Sequence, residues 1–323
     1  FKKNKPGLRE RWEVTEQFIK QGEKAALVLR LTGLASSTYY DRKRRESQPD
    51  RRPSGHRRGR PYPGYSLTVD GRKVCDEQIK EWLMELAEGE KHVYGYKRLA
   101  QSLRDEMGLM LNKKKVYRLC KELGLLKTQR KKRRKHPRRL PGNRVVTGSN
   151  QLWQMDVKYG YVAGKDRFFF ILSIIDVFDR VIVDYHRGAV CDTRDACETL
   201  LRAIGKRVGP GEAMPAIRTD NGPQFVSELF GDLCERLGLE HERIPPHTPN
   251  MNAYIESFHS LLERELLAIT EFAAFAEAYE AVDRYMDFYN NRRMHGSLRR
   301  MSPVRFSEWA MQLSDRSSFH IAL

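Results

Sequence analysis

The spacing of hydrophobic positions changes near residue 150, and this change divides the chain into two regions. Before it, apolar residues recur every three or four positions, as they do on amphipathic helices. After it come aromatic and β-branched runs that are typical of strands. The predicted strands cover residues 151–162, 168–178, 180–188 and 216–220. Helices predicted at 193–206, 227–238 and 251–268 complete a mixed α/β sheet with helices packed on it.

Residues 23–44 predict a helix-turn-helix. An apolar helix ends at Leu31, a break containing Gly33 follows, and Ser36 is placed to cap a second, basic helix. Other helical hairpins give the same pattern, so an ordinary hairpin is the alternative interpretation of this segment.

Residues 75–126 predict a second helix-turn-helix that ends in a strongly basic helix. A helix from about Tyr96 to Met107 precedes a break at Gly108, and Asn112 is placed to cap the helix that follows. A basic helix after a glycine-containing turn is a candidate for reading DNA, and a solvated lysine face is the alternative. The candidates for outward-facing DNA contacts are Lys113, Lys114, Lys115 and Arg118.

Basic segments without a hydrophobic pattern connect these regions. The stretch near residues 49–65 is rich in Pro, Gly and Arg and predicts an extended, solvated linker. Residues 127–144 are more than half Lys and Arg, so like charges prevent independent folding and favour a nucleic-acid-binding arm, with a nuclear targeting signal as the alternative. The arm residues expected to contact DNA are Lys131, Lys132, Arg133 and Arg134.

These patterns together predict six segments. They are an N-terminal helix-turn-helix region at 1–48, a linker at 49–70, a helical DNA-binding domain at 71–126, a basic arm at 127–149, a catalytic domain at 150–270 and a helical, basic tail at 271–323.

Composition narrows the class of partner. The 323 residues carry a formal net charge of +17 and the pI is near 9.7, which favours a polyanion, and nucleic acid before a membrane surface. We expect no membrane-spanning segment, because no apolar run reaches the required length. The 5 cysteines show neither zinc spacing nor a disulfide framework, which fits a reducing, cytoplasmic setting. Since the chain begins with Phe, we expect a piece of a longer product.

The stretch IRTDNGPQFVS, residues 217–227, allows two interpretations of Asp220. Asp-Asn-Gly is typical of a tight hairpin turn. A hairpin requires a strand on each side, yet Pro223 leads into a helical pattern, and Pro rarely begins an interior strand. We therefore predict a strand-to-helix turn, with Asp220 at the carboxyl end of the strand.

Two further acids are candidates to join Asp220. Asp156 interrupts an apolar strand, where a carboxylate costs free energy unless it is paired or bound to a metal. Glu256 lies on a predicted helix, on a face separate from the apolar stripe. Taken singly, the three are also explained as an edge-strand acid, a turn acid and an ordinary helix glutamate. Together they predict a site for divalent cations, because hard oxygen ligands suit Mg²⁺ or Mn²⁺.

The three acids lie in the motifs WQMD, DNGPQF and PNMNAYIESF, with thirty-five residues between Asp220 and Glu256. The chain also contains YGYKRL at 94–99 and YNNRRMHGSLRRMSPVRF at 289–306. Together these motifs resemble the DDE transposases of the insertion-sequence-three family, which are relatives of retroviral integrase. The resemblance covers nearly the whole chain.

The resemblance implies an RNase H-like catalytic domain with a mixed five-stranded sheet and flanking helices. In it, Asp156, Asp220 and Glu256 would hold two Mg²⁺ ions about 4 Å apart, and Mn²⁺ is expected to substitute. It also implies binding of double-stranded DNA at terminal inverted repeats, then cleavage and strand transfer into target DNA through an excised circular intermediate. At least a dimer on DNA is expected, because two ends must be held together. The residues expected to support the site are Asn221, Gln224 and Asn252.

Two features lie near the end of the resemblance. The family often has Lys seven residues after the catalytic Glu, whereas this chain has Glu263. In the motif at 289–306, DNA or inter-subunit contact is favoured over packing. The candidates for DNA contact there are Arg292, Arg293 and His295.

Two other functions share some of these features. A non-enzymatic DNA-binding regulator would need the basic segments but not the three acids. A nuclease of the RNase H class would need the acids but would cleave without joining ends.

Overall fold

The computed structural model describes residues 7–47, 62–128, 144–245, 249–312 and 321–322. The chain forms two compact units, residues 1–63 and residues 64–323. Within the described ranges, the structure contains no helix with both the length and the apolar character that crossing a membrane requires.

Three helices make up the described part of the first unit: α1 (Leu8–Lys20), α2 (Ala25–Thr32) and α3 (Ser36–Ser47). Gly33 ends α2 in a left-handed conformation with φ of 65°, which glycine adopts without a Cβ penalty. Buried Trp12 packs with residues of α2 and α3 in a small core. The helix pair predicted within residues 23–44 is confirmed.

Three more helices begin the second unit: α4 (Asp76–Glu88), α5 (Tyr96–Met107) and α6 (Lys113–Glu122). Gly108 ends α5 at φ of 59°, and the Asn112 side chain caps α6 by accepting from the amide of the residue two positions on at 2.9 Å. Apolar side chains from all three helices lie in one core. The helix boundaries predicted for this segment are confirmed.

A small antiparallel sheet accompanies these helices: β1 (Tyr65–Thr68), β2 (Lys73–Cys75) and β3 (Leu109–Met110), in the order β2–β1–β3. The prediction that the linker extends through residue 70 is therefore wrong, because residues 65–68 form β1. Strands of two to four residues are too short to show an alternating pattern in sequence. The linker residues 48–61 lie outside the described part of the chain.

The large sheet has five strands, as predicted. They are β5 (Leu152–Val162), β6 (Arg167–Asp176), β7 (Ile182–Gly188), β8 (Ala216–Thr219) and β9 (His241–Arg243), after a short β4 (Val145–Val146) that pairs with β10 (Ile321–Ala322). Their order is β7–β6–β5–β8–β9, with β5, β6 and β7 antiparallel and β8 and β9 parallel to β5. The sequence did not locate β9, which is only three residues long.

Helices cover both faces of this sheet. They are α7 (Thr193–Arg207), α8 (Pro223–Val226), α9 (Glu228–Arg236), α10 (Ala253–Leu262), α11 (Phe275–Asp287) and α12 (Pro303–Met311). Side chains from one face of β5 and β6, such as Trp153 and Ile174, pack with α7 and α9. Phe169 and Ile171 of β6 pack with α10 and α11 in a second core. Alternation along the strands therefore supplies two apolar layers.

The helix that carries Glu256 is less regular than predicted. A 3₁₀ turn at Pro249–Asn252 precedes α10, and a π-helical turn at Glu263–Leu267 follows it. A second π-helical turn, Phe288–Arg292, follows α11. Such turns are rare and often occur at functional sites. The sequence predicted one continuous helix over 251–268 because apolar spacing does not distinguish α from π geometry over one turn.

Candidate active site

Asp156 and Asp220 lie side by side on neighbouring strands. Met155 of β5 pairs with Thr219 of the parallel strand β8, so the two acids occupy the next position on each. The Gly222 amide donates to Asp220 Oδ1 at 2.9 Å, and Pro223 begins α8 directly afterwards. The Asp-Asn-Gly turn thus joins a strand to a helix, as predicted, and the hairpin alternative is excluded.

Gln154 places the helix that carries Glu256. Its side chain is fully buried and shares a face of β5 with Asp156, two residues on. Gln154 Oε1 accepts from the amides of Tyr254 at 3.2 Å and Ile255 at 3.0 Å, and its Nε2 donates to the Met251 carbonyl at 2.8 Å. The side-chain amide therefore satisfies two N–H groups in the first turn of α10, which have no partner within the helix, and also bonds to the 3₁₀ turn before it.

Arg218 makes a second connection to the same helix start. Its guanidinium is 2% exposed and donates to the Met251 carbonyl at 3.0 Å. The same side chain pairs with Glu242 of β9 at 2.7 Å. Since Arg218 lies opposite Gln154 in the β5–β8 ladder, three adjacent strands contribute to holding the first turn of α10.

Sequence reasoning missed both Gln154 and Arg218. The available signal was a polar residue inside an apolar strand at each place, two residues before Asp156 and two before Asp220. Their partner, the Met251 carbonyl, is a backbone atom and leaves no signal in the sequence.

The carboxylates act on one another electrostatically. Burial raises the pKa of Asp156 to about 7 against the hydrogen bond from the Val157 amide, and the negative charges of Asp220 and Glu256 act in the same direction as burial. Burial also raises the pKa of Glu256. A bound divalent cation would relieve this repulsion, and the oxygen donors are of the kind that Mg²⁺ and Mn²⁺ prefer.

The carboxylates do not already form a ligand cage. In the described part of the chain, no three His, Cys, Asp or Glu side chains lie close enough together to hold a metal ion. Asp156 and Asp220 each direct one oxygen to a nearby backbone amide, at 2.8 Å and 2.9 Å. The residue types and their shared location fit a divalent metal. The side chains must rotate before all three carboxylates can bind the same ion.

His259 lies against Asp156 and is uncharged. Its Nδ1 is 3.5 Å from Asp156 Oδ2. Burial, together with the nearby charge of Lys158, lowers the pKa of His259 to about 3. The contact between the ring and the carboxylate is therefore not an ion pair at neutral pH.

The residues expected to support the site have different surroundings. Asn221 Nδ2 donates to the Ile244 carbonyl at 2.9 Å and so fixes the turn after β8. Gln224 packs against Gly222, where an added Cβ would lie 2.7 Å from its Nε2. Asn252 is buried at the start of α10, and its Oδ1 has no hydrogen-bond partner among the described residues. Their contribution to the reaction remains a prediction.

A second set of buried acids lies at the β6–β7 turn. Asp176 accepts from the Asn150 amide at 2.7 Å and from Trp153 Nε1 at 3.2 Å, and Asp179 pairs with Arg207 at 2.6 Å. Burial and the charge of Asp179 raise the pKa of Asp176 above its usual range. These fully buried carboxylates hold the turn to β5 and α7 and do not face the three candidate acids.

Family models match three parts of the chain. Two models described as an integrase core domain match residues 146–249 and 237–303, and one described as an HTH-like domain matches residues 75–133. The first two contain the sheet and all three candidate acids. The third contains α4, α5 and α6.

Named relatives agree with these matches. An uncharacterized 39.2 kDa protein of insertion element IS476 from Xanthomonas euvesicatoria is 34% identical over 70% of this chain and 63% of the relative. The transposase of insertion sequence element IS904 from Lactococcus lactis is 28% identical over 74% of this chain and 95% of the relative. The chain therefore carries an integrase core domain and an HTH-like domain, and it is similar to insertion-sequence transposases. It spans less than two thirds of the first relative's length.

Among solved structures, a chain of a simian T-cell lymphotropic virus intasome in complex with PP2A regulatory subunit B56 gamma has 17% identity and a TM-score of 0.42, covering 73% of this chain and 76% of that one. The HTLV-2 integrase catalytic core in complex with magnesium has 18% identity and a TM-score of 0.38, covering 50% and 97%.

Two of the four lysines and arginines expected to face outward from α6 are held within the fold. Lys115 Nζ donates to the Tyr65 carbonyl at 2.7 Å and pairs with Asp76. Arg118 pairs with the same carboxylate at 2.6 Å. The prediction that these two side chains point outward is wrong, because Asp76 at the start of α4 faces them. Lys113 and Lys114 are exposed, as predicted.

In the motif at 289–306, two of the three predicted DNA contacts are buried. Arg293 is 1% exposed and forms a bidentate pair with Glu265 at 2.6 Å and 2.7 Å. His295 is 7% exposed, and burial, with the nearby charge of Arg293, lowers its pKa to about 2. As placed, neither side chain can reach a phosphate, so this part of the prediction is corrected. Arg292 is exposed and pairs with Glu90 at 2.8 Å.

The same motif is hydrogen-bonded to β7 and to the segment just before α5. Asn290 accepts from the amide of Ile182 and donates to its carbonyl, both at 2.9 Å. The Tyr94 hydroxyl accepts from the Met294 amide at 2.8 Å and donates to the Arg292 carbonyl at 3.1 Å. Packing, the alternative to DNA or subunit contact, therefore accounts for much of the motif. The predicted arm contacts, Lys131, Lys132, Arg133 and Arg134, lie outside the described residues.

Replacing Gln154 with Leu is expected to misplace Glu256, because the amides of Tyr254 and Ile255 lose their partner and the Met251 carbonyl keeps only Arg218. Metal-dependent cleavage of element-end DNA should fall by about ten- to hundredfold, as displacement of a reacting group by about 1 Å does. Gln154→Glu keeps an acceptor for the two amides, so its cleavage activity should lie between those of wild type and Gln154→Leu. Gln151→Leu is the matched control, since exposed Gln151 bonds only to nearby Thr147. Equal activity of Gln154→Leu and Gln151→Leu would contradict this assignment.

The raised pKa of Asp156 makes the metal-free fold less stable as pH rises. Between about pH 4 and 7 the folded state binds a proton that the unfolded state has lost, so the stabilisation from the protonated form disappears as pH passes about 7. Asp156→Asn should therefore increase the free energy of unfolding by about 1–3 kcal/mol at pH 8 in chelator, and by little at pH 4.

Denaturant unfolding at the two pH values measures this effect. Asp166→Asn is the control, since Asp166 is exposed in the β5–β6 turn at φ of 50°, which Asn also accepts. If Asp156→Asn increased the free energy of unfolding equally at pH 4 and pH 8, ionisation of Asp156 would not be what destabilises the metal-free fold.

Proposed function

We propose that the chain is a DNA transposase that cleaves the ends of an insertion sequence and joins them to target DNA in a divalent-metal-dependent reaction. The observation that carries the proposal is that Asp156 and Asp220 lie side by side on neighbouring strands of an integrase-core sheet, with Glu256 near enough that, after burial, the charges of both other acids raise the pKa of Asp156. The integrase-core match and the similarity to insertion-sequence transposases support the same reaction class.

Asp156, Asp220 and Glu256 are the residues that would hold Mg²⁺, with Mn²⁺ as a substitute and two ions as the expected number. When bound, the metal would activate the attacking oxygen and stabilise charge on the phosphate and the leaving oxygen. The chain's own contribution is placement. The β5–β8 ladder sets Asp156 beside Asp220, and Gln154 and Arg218 hold the start of the helix that presents Glu256.

No side chain in this proposal forms a covalent bond to DNA. Water attacks the phosphodiester at the element's end and releases a 3′-hydroxyl, and this hydroxyl then attacks a phosphodiester of the target and displaces its 3′-oxygen. Each step exchanges one phosphate ester bond for another bond to the same phosphorus. The excised circular intermediate that the family resemblance implies is part of the proposal.

DNA binding is assigned to the helical and basic segments. We infer that residues 71–126 form a DNA-binding domain, that 150–270 form the catalytic domain and that the arm at 127–149 follows the phosphate backbone. The HTH-like match and the exposed Lys113 and Lys114 on α6 support this assignment. The net charge of +17 favours a polyanionic partner. Action on two terminal inverted repeats requires at least a dimer on DNA. We propose that the protein acts in the cytoplasm, in association with the nucleoid.

The proposal is tested with duplex DNA that carries the inverted repeats flanking the gene. Wild-type protein should nick this DNA in Mg²⁺ and join a pre-cleaved end to a second duplex. Asp220→Asn should lower both rates by about 100-fold or more, because it removes a charged metal ligand. Asp166→Asn removes an acid of the same sheet away from the site and should leave both rates unchanged.

Each alternative gives a distinct result. Equal, metal-independent behaviour of wild type and Asp220→Asn would contradict an enzyme and favour a DNA-binding regulator. Metal-dependent cleavage without joining of pre-cleaved ends would favour a simple nuclease.

A further inference from the structure

Lys158 is a cation placed beside the candidate acids. It follows Asp156 by two residues on β5, so both side chains leave the same face of the sheet. Its side chain is 29% exposed, and its Nζ lies 2.8 Å from Glu263 Oε2. The side chain is therefore partly accessible to solvent.

The charge of Lys158 acts on the site itself. After burial, it is the cause that lowers the pKa of His259, whose ring lies 3.5 Å from Asp156. The ammonium therefore belongs to the same electrostatic neighbourhood as the carboxylates. It is on the strand, whereas its partner Glu263 begins the π-helical turn two helical turns after Glu256.

A phosphate that approaches three carboxylates meets their repulsion, and a nearby cation reduces it. The ion pair of Lys158 with Glu263 is partly exposed, at 29% and 45%, and exposed pairs of this kind contribute little to stability. The Lys158 ammonium can therefore leave Glu263 and bind a phosphate oxygen with little loss of stability.

We propose that Lys158 binds a DNA phosphate next to the one that reacts, and that Glu263 holds the ammonium in place when DNA is absent. This inference rests on the proposed function, because it requires DNA at the three acids. In this chain, the positively charged contact to DNA next to the site would come from Lys158 on β5, because position 263 on the helix is an acid.

The test compares two neutral variants of the same ion pair, Lys158→Gln and Glu263→Gln. With duplex carrying the terminal repeats, Lys158→Gln should bind about tenfold more weakly, and the slope of log K against log salt should be shallower by about 0.9, as for one lost phosphate contact. Glu263→Gln frees the ammonium and should bind as tightly as wild type or more tightly, with an unchanged slope.

Lys165→Gln is the charge-matched control, since Lys165 is exposed in the turn at the far end of the β5–β6 hairpin. Thermal unfolding of all three variants shows whether each remains folded. Equal weakening by Lys158→Gln and Glu263→Gln with the wild-type slope would overturn the proposal, because the pair would then only hold the strand to the helix. So would a loss for Lys158→Gln no larger than that for Lys165→Gln.

Failure of the proposed function has a different signature. In that case wild-type protein shows no metal-dependent joining, and Asp220→Asn behaves as wild type does. Failure of the Lys158 assignment leaves wild-type joining and its dependence on Asp220 intact.

Discussion

The buried amide of Gln154 is the constraint on which the site depends. A helix that starts above a sheet has unpaired backbone groups, and burying them without partners is costly. Gln154 satisfies two amides and one carbonyl at the start of α10 from a fixed point on β5. Because Asp156 lies two residues further along the same strand, the interaction that anchors the helix also brings Glu256 near enough for its charge to act on Asp156.

The far end of the same helix is held by a buried ion pair. Glu265 in the π-helical turn accepts two hydrogen bonds from Arg293 and one from Tyr285 at 3.1 Å. Although burial opposes ionisation, the hydrogen bonds and charge of Arg293 lower the pKa of Glu265. Removing one partner of such a pair leaves a buried charge unpaired, which is strongly destabilising. The motif at 289–306 therefore holds the C-terminal end of the helix that carries Glu256, and these side chains do not contact DNA.

Sequence predicted those parts of the site whose signal is local. Asp220 was placed by Pro223, which excluded a second strand, and Asp156 by its position inside an apolar run. The five-stranded sheet followed from strand composition and the family resemblance. Burial of Arg293 and of Lys115 was not predictable, because it depends on Glu265 and Asp76, which are distant in sequence. A basic motif looks the same whether its partner is a phosphate or a carboxylate of the fold.

The central claim is that Asp156, Asp220 and Glu256 form one metal site. Calorimetric titration of Mn²⁺ into wild type, Asp156→Asn, Asp220→Asn and Glu256→Gln tests it most directly, without any DNA substrate. We predict saturable binding to wild type and affinities lower by about tenfold or more in each variant, since every ligand contributes to the same ion. Binding of Mn²⁺ that is equally tight in wild type and all three variants would contradict the claim.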